Sequence, residues 1–192
     1  MEAKYLSAAD TAKLVRAALK RNFPGTRFSV RFDTYAGGAS IDVVWTDGPA
    51  YKLVDGVARQ FAGGRFDSMI DMKVTVQHWL LPDGTATVAS NAGTEGAGGV
   101  LPAAREWMPH PDARLVRFSA DFIFPRRRTS LALVGRVLDR MKAQGSPVEL
   151  LEVKIDYDGT GYVAARSHSA EAELWEREAR NQVSRFMAVR AG

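Results

Sequence analysis

The chain has 192 residues, 46% of them hydrophobic and 25% charged, which sustains one sizeable core or two small ones and argues against disorder along the whole length. Cysteine is absent, so disulfides, thiolate nucleophiles and zinc–cysteine sites are excluded. A net charge of +4 permits an anionic partner without requiring one.

A first helix is predicted from Ser7 to Asn22. Ser7 is its cap, Asp10 follows in capping-box position, and Leu14, Val15, Ala18 and Leu19 form an apolar face. Pro24-Gly25 stops it. Phe28, Val30 and Phe32 then alternate with polar residues, Gly37-Gly38 supplies a turn, and Ala39, Ile41, Val43 and Trp45 alternate on a return strand. Asp47-Gly48-Pro49 reads as the opening of a second helix, with Asp47 as cap and Leu53, Val54, Val57 and Phe61 as its buried stripe. Leu14, Phe28, Phe32, Ile41, Trp45, Val57 and Phe61 are expected to share one core.

A hairpin from Lys73 to Ser90 turns at Pro82-Asp83-Gly84. The stretch NAGTEGAGGVLPAA, from Asn91 to Ala104, reads as a loop. Val116, Phe118, Ala120, Phe122 and Phe124 alternate as a strand. A helix from Ser130 to Gln144 turns Leu131, Val134, Val137, Leu138 and Met141 inward, with Gly145 placed for a left-handed C-cap. Leu151, Val153, Ile155 and Tyr157 mark another strand, so that residues 116–157 could form a parallel crossover. Asp158-Gly159-Thr160-Gly161 is a turn, Tyr162-Val163 a short strand, and a last helix from Ser169 to Val189 faces Leu174, Trp175, Ala179, Val183 and Phe186 inward.

The fold class is therefore α+β: an α-β-β-α unit, a β-hairpin and a β-α-β-α unit, with helices on a mixed or antiparallel sheet. Residues 1–90 read as one α+β domain, 91–112 as a flexible Gly/Pro-rich loop, and 113–192 as a part packed with the first into one globule. No apolar run has the length of a signal peptide or a membrane span, so the expected location is the cytoplasm, with no membrane partner.

Several stretches carry a family likeness. They are ADTAKLVR, FPGTRFSVR, YAGGASIDV, WTDGP and FDSMIDMK, all within roughly residues 4–75. This part of the chain resembles the twenty-ninth of the large-polyvalent-protein-associated domains, found in phage, plasmid and integrative-element proteins. The segments VRFSADFIFPRRR and LLEVKIDYDG look like sequence that travels with that domain. The resemblance implies an accessory role in a mobile element, whose polyvalent proteins are thought to enter a recipient cell with the element's DNA. It supplies no catalytic residues.

The residues themselves point the same way. His78, His110 and His168 have no metal-ligand spacing, no nucleophile elbow is present, and neither a metal nor a cofactor is expected. The run GTEGAGG from Gly93 to Gly99 matches neither phosphate-loop pattern and carries Glu95, which would repel phosphate. Glu95 and Glu106 have no feature of an acid–base pair. Asp156 and Asp158 lack the remaining ligands of a calcium loop.

The main candidate for an anionic partner is Arg126, Arg127 and Arg128, read as lying between a strand and a helix N-terminus, with Arg136 and Arg140 on that helix. A solvated rim or internal salt bridges would account for them equally. If they bind an anion, changing the three adjacent arginines to glutamine should weaken binding and leave folding almost unchanged. A second basic patch comprises Lys13, Arg16, Lys20, Arg27 and Arg31, with Phe28 and Phe32 turned to the opposite face.

With the resemblance, these readings lead to a non-catalytic binding protein of a phage or other mobile element. Its expected partner is a host protein or ribonucleoprotein, as an inhibitor of a restriction or CRISPR-type defence. A nucleic-acid-binding accessory protein using a basic surface, and an enzyme with an unrecognised site, remain alternatives.

Overall fold

The computed structural model describes residues 2–91, 93 and 108–186. The helices are α1 (Ala8–Asn22), α2 (Tyr51–Ala58), α3 (Leu131–Ala143) and α4 (Ala170–Arg185). The strands are β1 (Lys4–Leu6), β2 (Ser29–Tyr35), β3 (Gly38–Thr46), β4 (Gly64–Asp67), β5 (Met72–Leu80), β6 (Ala86–Asn91), β7 (Arg114–Phe118), β8 (Ala120–Arg128), β9 (Leu151–Ile155) and β10 (Gly161–Ala165). This is the expected α+β class. The chain divides into two compact units, the first made of residues 1–24, 28–43 and 54–125, the second of 25–27, 44–53 and 126–192. Of the expected loop, residues 92 and 94–107, which include Glu95 and Glu106, lie outside the described residues.

In the first unit Ser7 caps α1 as anticipated. Its hydroxyl accepts from the Asp10 N–H at 3.1 Å and donates to the Asp10 carboxylate at 2.7 Å. Ala12, Val15, Ala18 and Leu19 are buried, whereas Leu14 is only half-buried. The return strand β3 alternates as read, with Ala39, Ile41, Val43 and Trp45 buried. Its partner β2 departs from the expected pattern. Only Val30 is buried, and Phe32 faces solvent. β2 is the edge of the sheet ordered β2-β3-β8, and an edge strand is covered only where another element reaches it. Phe28 lies before the strand, against Phe23 at 6.0 Å. The expected single core therefore loses Phe32, and Trp45 falls in the second unit.

Helix α2 buries Val54 and Ala58 and leads into a short 3-10 turn carrying Phe61, while Leu53 is exposed. Positions i, i+4 and i+7 share a helix face, so the stripe passes through 54, 58 and 61 and leaves 53 outside it. Gly56 in α2 is exposed, with nothing near the place a Cβ would occupy. Gly56→Ala should therefore raise stability by about 0.5–1 kcal/mol, read as a higher denaturation midpoint.

Two short strands are additional to the sequence reading. β1 pairs in parallel with β7, and β4 pairs antiparallel with β5. β5 is the central strand of its five-stranded sheet, with β4, β6 and β7 as neighbours. Gly63, just before β4, donates to the Ala120 carbonyl at 2.8 Å. A side chain there would collide with the Phe118 main-chain carbonyl, so close backbone approach explains the glycine. The alternation read from Val116 to Phe124 as one strand is two strands broken at Ser119. Ala120 is still in phase, but beyond it the phase changes: Ile123 and Pro125 are buried and Phe124 is exposed.

In the second unit Ser130 caps α3, its Oγ accepting from the Leu133 N–H at 3.0 Å. Leu133, Val134, Val137 and Met141 are buried, but Leu131 in the first turn is exposed. Gly145 has φ +81° at the C-terminal end, as its left-handed cap role requires. β9 pairs only with β10 among the described strands, so residues 116–157 do not form the parallel crossover. Val153 and Ile155 on β9 and Tyr157 beyond its end are exposed, and Leu174 on α4, expected to face inward, is exposed too. The core comprises Val134, Val137, Met141, Leu151, Val163, Ala179 and Val183, with Trp175 and Phe186 packed partly against it.

Asp47 does not cap α2, which begins at Tyr51. It has φ +54°, and its carboxylate accepts from the Ser130 N–H at 2.8 Å and the Ser130 hydroxyl at 2.7 Å. A carboxylate near an α-helix N-terminus is favourable on both charge and hydrogen-bond grounds. Asp47→Ala should cost about 2 kcal/mol in chemical denaturation, through loss of those bonds and the strain of alanine at positive φ. Asp47→Asn tolerates that backbone and keeps an acceptor, so it should lose less than half as much.

Candidate binding surfaces

Strand geometry separates the three adjacent arginines, which lie on the end of β8 rather than in a loop. Alternate residues of a strand face opposite ways. Arg126 and Arg128 are exposed, while Arg127 is partly buried. Arg128 forms an ion pair with Asp158 at 3.4 Å.

Arg127 is committed to the main chain. Its Nε donates to the Asp47 carbonyl, Nη1 to those of Val183 and Ser184, and Nη2 to those of Gly48 and Phe186, at 2.5–3.2 Å. A guanidinium has five N–H donors, and here each has an acceptor. Partial burial lowers its pKa, opposed by the nearby Asp47 charge. The expectation that a triple glutamine substitution would spare folding is therefore replaced by one of marked destabilisation from Arg127 alone. Arg136 and Arg140, four residues apart on α3, are both exposed.

The second basic patch is also divided. Lys13 pairs with Asp10 at 3.0 Å, and Arg16 donates to the Val30 carbonyl at 2.6 Å. Lys20 and Arg31 are exposed in the first unit, whereas Arg27 belongs to the second.

A cleft of about 500 Å³ in the first unit has no counterpart in the sequence reading. Phe66 of β4, Phe122 and Phe124 of β8 and the cations Arg59 and Arg65 line it, and His78 of β5 contributes an imidazole. The Phe122 and Phe124 rings lie 6.2 Å apart. Arg59 is ion-paired with Asp55 at 2.5 Å. His78 stands opposite Val88 of β6 and Val116 of β7, with its ring 4.9 Å from Phe118. Burial lowers its pKa to about 4, although a hydrogen bond with the Val76 main chain acts in the opposite direction. It is therefore neutral at physiological pH, and its Nδ1 has no hydrogen-bond partner among the described residues.

Beside the cleft, the β4–β5 hairpin exposes Phe66 (55%), Met69 (65%), Ile70 (43%) and Met72 (59%). Its turn is built by Asp67, whose buried side chain accepts from the Met69 N–H at 3.0 Å, and by Asp71 at φ +51°. The sequence signal is FDSMIDM itself: Phe66, Met69, Ile70 and Met72 crowd four large apolar residues into one short segment, which Asp67 and Asp71 turn into a hairpin tip instead of the helical turn that the 66, 69, 70 spacing would also suit. Such a concentration of exposed apolar side chains on one hairpin marks an interaction surface more readily than scattered ones do.

The second unit has a pocket of about 300 Å³ lined by Tyr51, Thr129, Tyr162 and Arg180 among others. Arg180 lies over the Tyr162 ring at 5.6 Å, pairs with Glu176 at 2.7 Å and donates to the Val163 carbonyl. No group of metal-binding side chains occurs among the described residues, and no described helix is long and apolar enough to cross a membrane.

The family model for large polyvalent protein associated domain 29 matches residues 6–130. It reaches past the stretches within residues 4–75, takes in VRFSADFIFPRRR and stops at the α3 cap, leaving 131–192, with LLEVKIDYDG, outside. No curated protein and no solved structure matches the chain.

Proposed function

The chain belongs to the large polyvalent protein associated domain 29 family, and from that premise we propose that it is a non-catalytic binding domain of a phage or other mobile genetic element. It acts by occupying a host protein or ribonucleoprotein, and the biological role that fits is inhibition of a restriction or CRISPR-type defence. The observation that carries the reading is the exposed hairpin of Phe66, Met69, Ile70 and Met72 beside an aromatic cleft. Methionine adapts its shape to a partner, and aromatic anchors dominate binding energy at protein interfaces. The partner is therefore expected to present apolar pockets or grooves.

The competing reading is a nucleic-acid ligand. Arg59 and Arg65 beside Phe66, Phe122 and Phe124 favour it, since stacking rings and cations hold single strands. Capture from a nuclease-treated bacterial host lysate separates the two. The expected result is a protein retained in moderate salt by the wild type and lost from Met69→Asp/Met72→Asp. Capture that disappears with nuclease or modest salt would replace this reading with the nucleic-acid one.

A further inference from the structure

The second unit has a strand edge that no described strand pairs with, and its sequence complements itself. β9 and β10 pair so that partner numbers run Leu151↔Ala165, Val153↔Val163 and Ile155↔Gly161. Just beyond the strands, the Arg166 N–H donates to the Leu150 carbonyl and the Asp156 N–H to the Thr160 carbonyl. In an antiparallel ladder, pairs that exchange hydrogen bonds alternate with pairs that do not. Residues 152 and 154 thus direct their main-chain groups to β10, while Leu151, Val153 and Ile155 direct theirs to the other edge. No described strand pairs with that edge. Leu151 is buried, whereas Val153 and Ile155 are apolar and exposed, at 41% and 58%.

We propose that this edge is a homodimer interface, in which β9 pairs antiparallel with β9 of a second copy about a two-fold axis at Val153. The result is a four-stranded sheet ordered β10-β9-β9-β10. Three features fit a second copy of the chain. Val153 meets Val153 and Leu151 meets Ile155, and these are the residues whose N–H and C=O groups face outward, so both pairs are hydrogen-bonded. Glu152 falls opposite the other copy's Lys154, and Lys154 opposite its Glu152, giving two cross-strand ion pairs of opposite sign. The exposed Val153 and Ile155 side chains of the two copies become neighbours on one face.

Within one copy Glu152 and Lys154 already pair at 2.7 Å, so the second copy would join two such pairs into a four-charge network of alternating sign. The Leu151 carbonyl accepts from Arg166 Nε at 2.7 Å, and its second lone pair can still receive the partner strand. An isologous contact of this kind closes at two chains. Five residues from each copy make a small interface, so the dimer is weak and concentration-dependent.

Sedimentation velocity of the full chain, up to about 1 mM, tests this directly. The wild type should shift from monomer to dimer as concentration rises. Lys154→Glu and Glu152→Lys each place like charges opposite one another and should raise the dissociation constant about tenfold or more. The double exchange, Glu152→Lys with Lys154→Glu, restores opposite pairs and should return it to within about threefold of the wild type. Thermal melting of the same variants checks that folding is retained. A wild-type chain that stays monomeric throughout would overturn the proposal. So would single variants that dimerise like the wild type, or a double exchange that fails to rescue.

Discussion

Arg127→Met should lower the unfolding free energy by about 3–4 kcal/mol, more than any other single arginine substitution near it. The guanidinium joins main-chain carbonyls of residues 47 and 48 to those of 183, 184 and 186, so its loss releases acceptors on two separate segments of the second unit. Methionine retains apolar bulk and supplies no donor. Arg127→Lys retains the charge, but its three donors lack the planar fork, so it should recover less than half of the loss. Arg126→Gln and Arg128→Gln should each stay within about 1 kcal/mol of the wild type, because both are exposed and surface pairs contribute little. Urea unfolding of the four variants measures the contrast. Similar midpoints for Arg127→Met and Arg126→Gln would show that the carbonyl bonds carry no stability.

Stability should fall as pH drops from about 6.5 to about 4, and His78 should cause much of that loss. Burial holds its folded pKa near 4, against an ordinary value of 6.5. Across this window the unfolded chain binds a proton that the folded chain refuses, so lower pH favours unfolding. The contribution is fully present above pH 6.5 and lost as pH falls through 4. It amounts to about 3 kcal/mol, from roughly 1.4 kcal/mol for each pH unit. His78→Phe removes both the titration and the unpartnered Nδ1. It should match the wild type within about 1 kcal/mol at pH 7 and exceed it by about 3 kcal/mol near pH 4. Parallel stability curves for the two proteins would show that His78 is not the titrating group.

These two residues also show where a sequence can be read and where it cannot. Helix α1, strand β3 and helix α3 were legible because each buries one face, so the period of their apolar residues records their conformation. Strand β4 has one large apolar residue, Phe66, and that residue is exposed, so it leaves no alternation to detect. β1 has only three residues, and its pairing with β7 depends on a partner more than a hundred positions away. Arg127 looked like one of three equivalent cations because its acceptors are carbonyls, which every residue possesses and no residue type identifies. Asp47 was recognisable as a capping residue, but the helix it supports starts at 131, not near 50. The cleft joins residues around 59–66, 76–88 and 122–124, so its chemistry exists only after the strands have paired. The hairpin hides behind its own spacing, since Phe66, Met69 and Ile70 fit a helical turn and Met72 continues the alternation of Val74 and Val76, so their exposure follows only from the turn between β4 and β5.

On the proposed function, the β4–β5 hairpin holds a protein partner by apolar contact. Isothermal titration of the captured partner with the wild type and with Met69→Asp/Met72→Asp, at low and moderate salt, tests it most directly. The wild-type affinity should change little with salt, and the variant should bind about a hundredfold more weakly at both concentrations. Equal affinities for the two proteins, or a steep loss of wild-type binding as salt is raised, would contradict it.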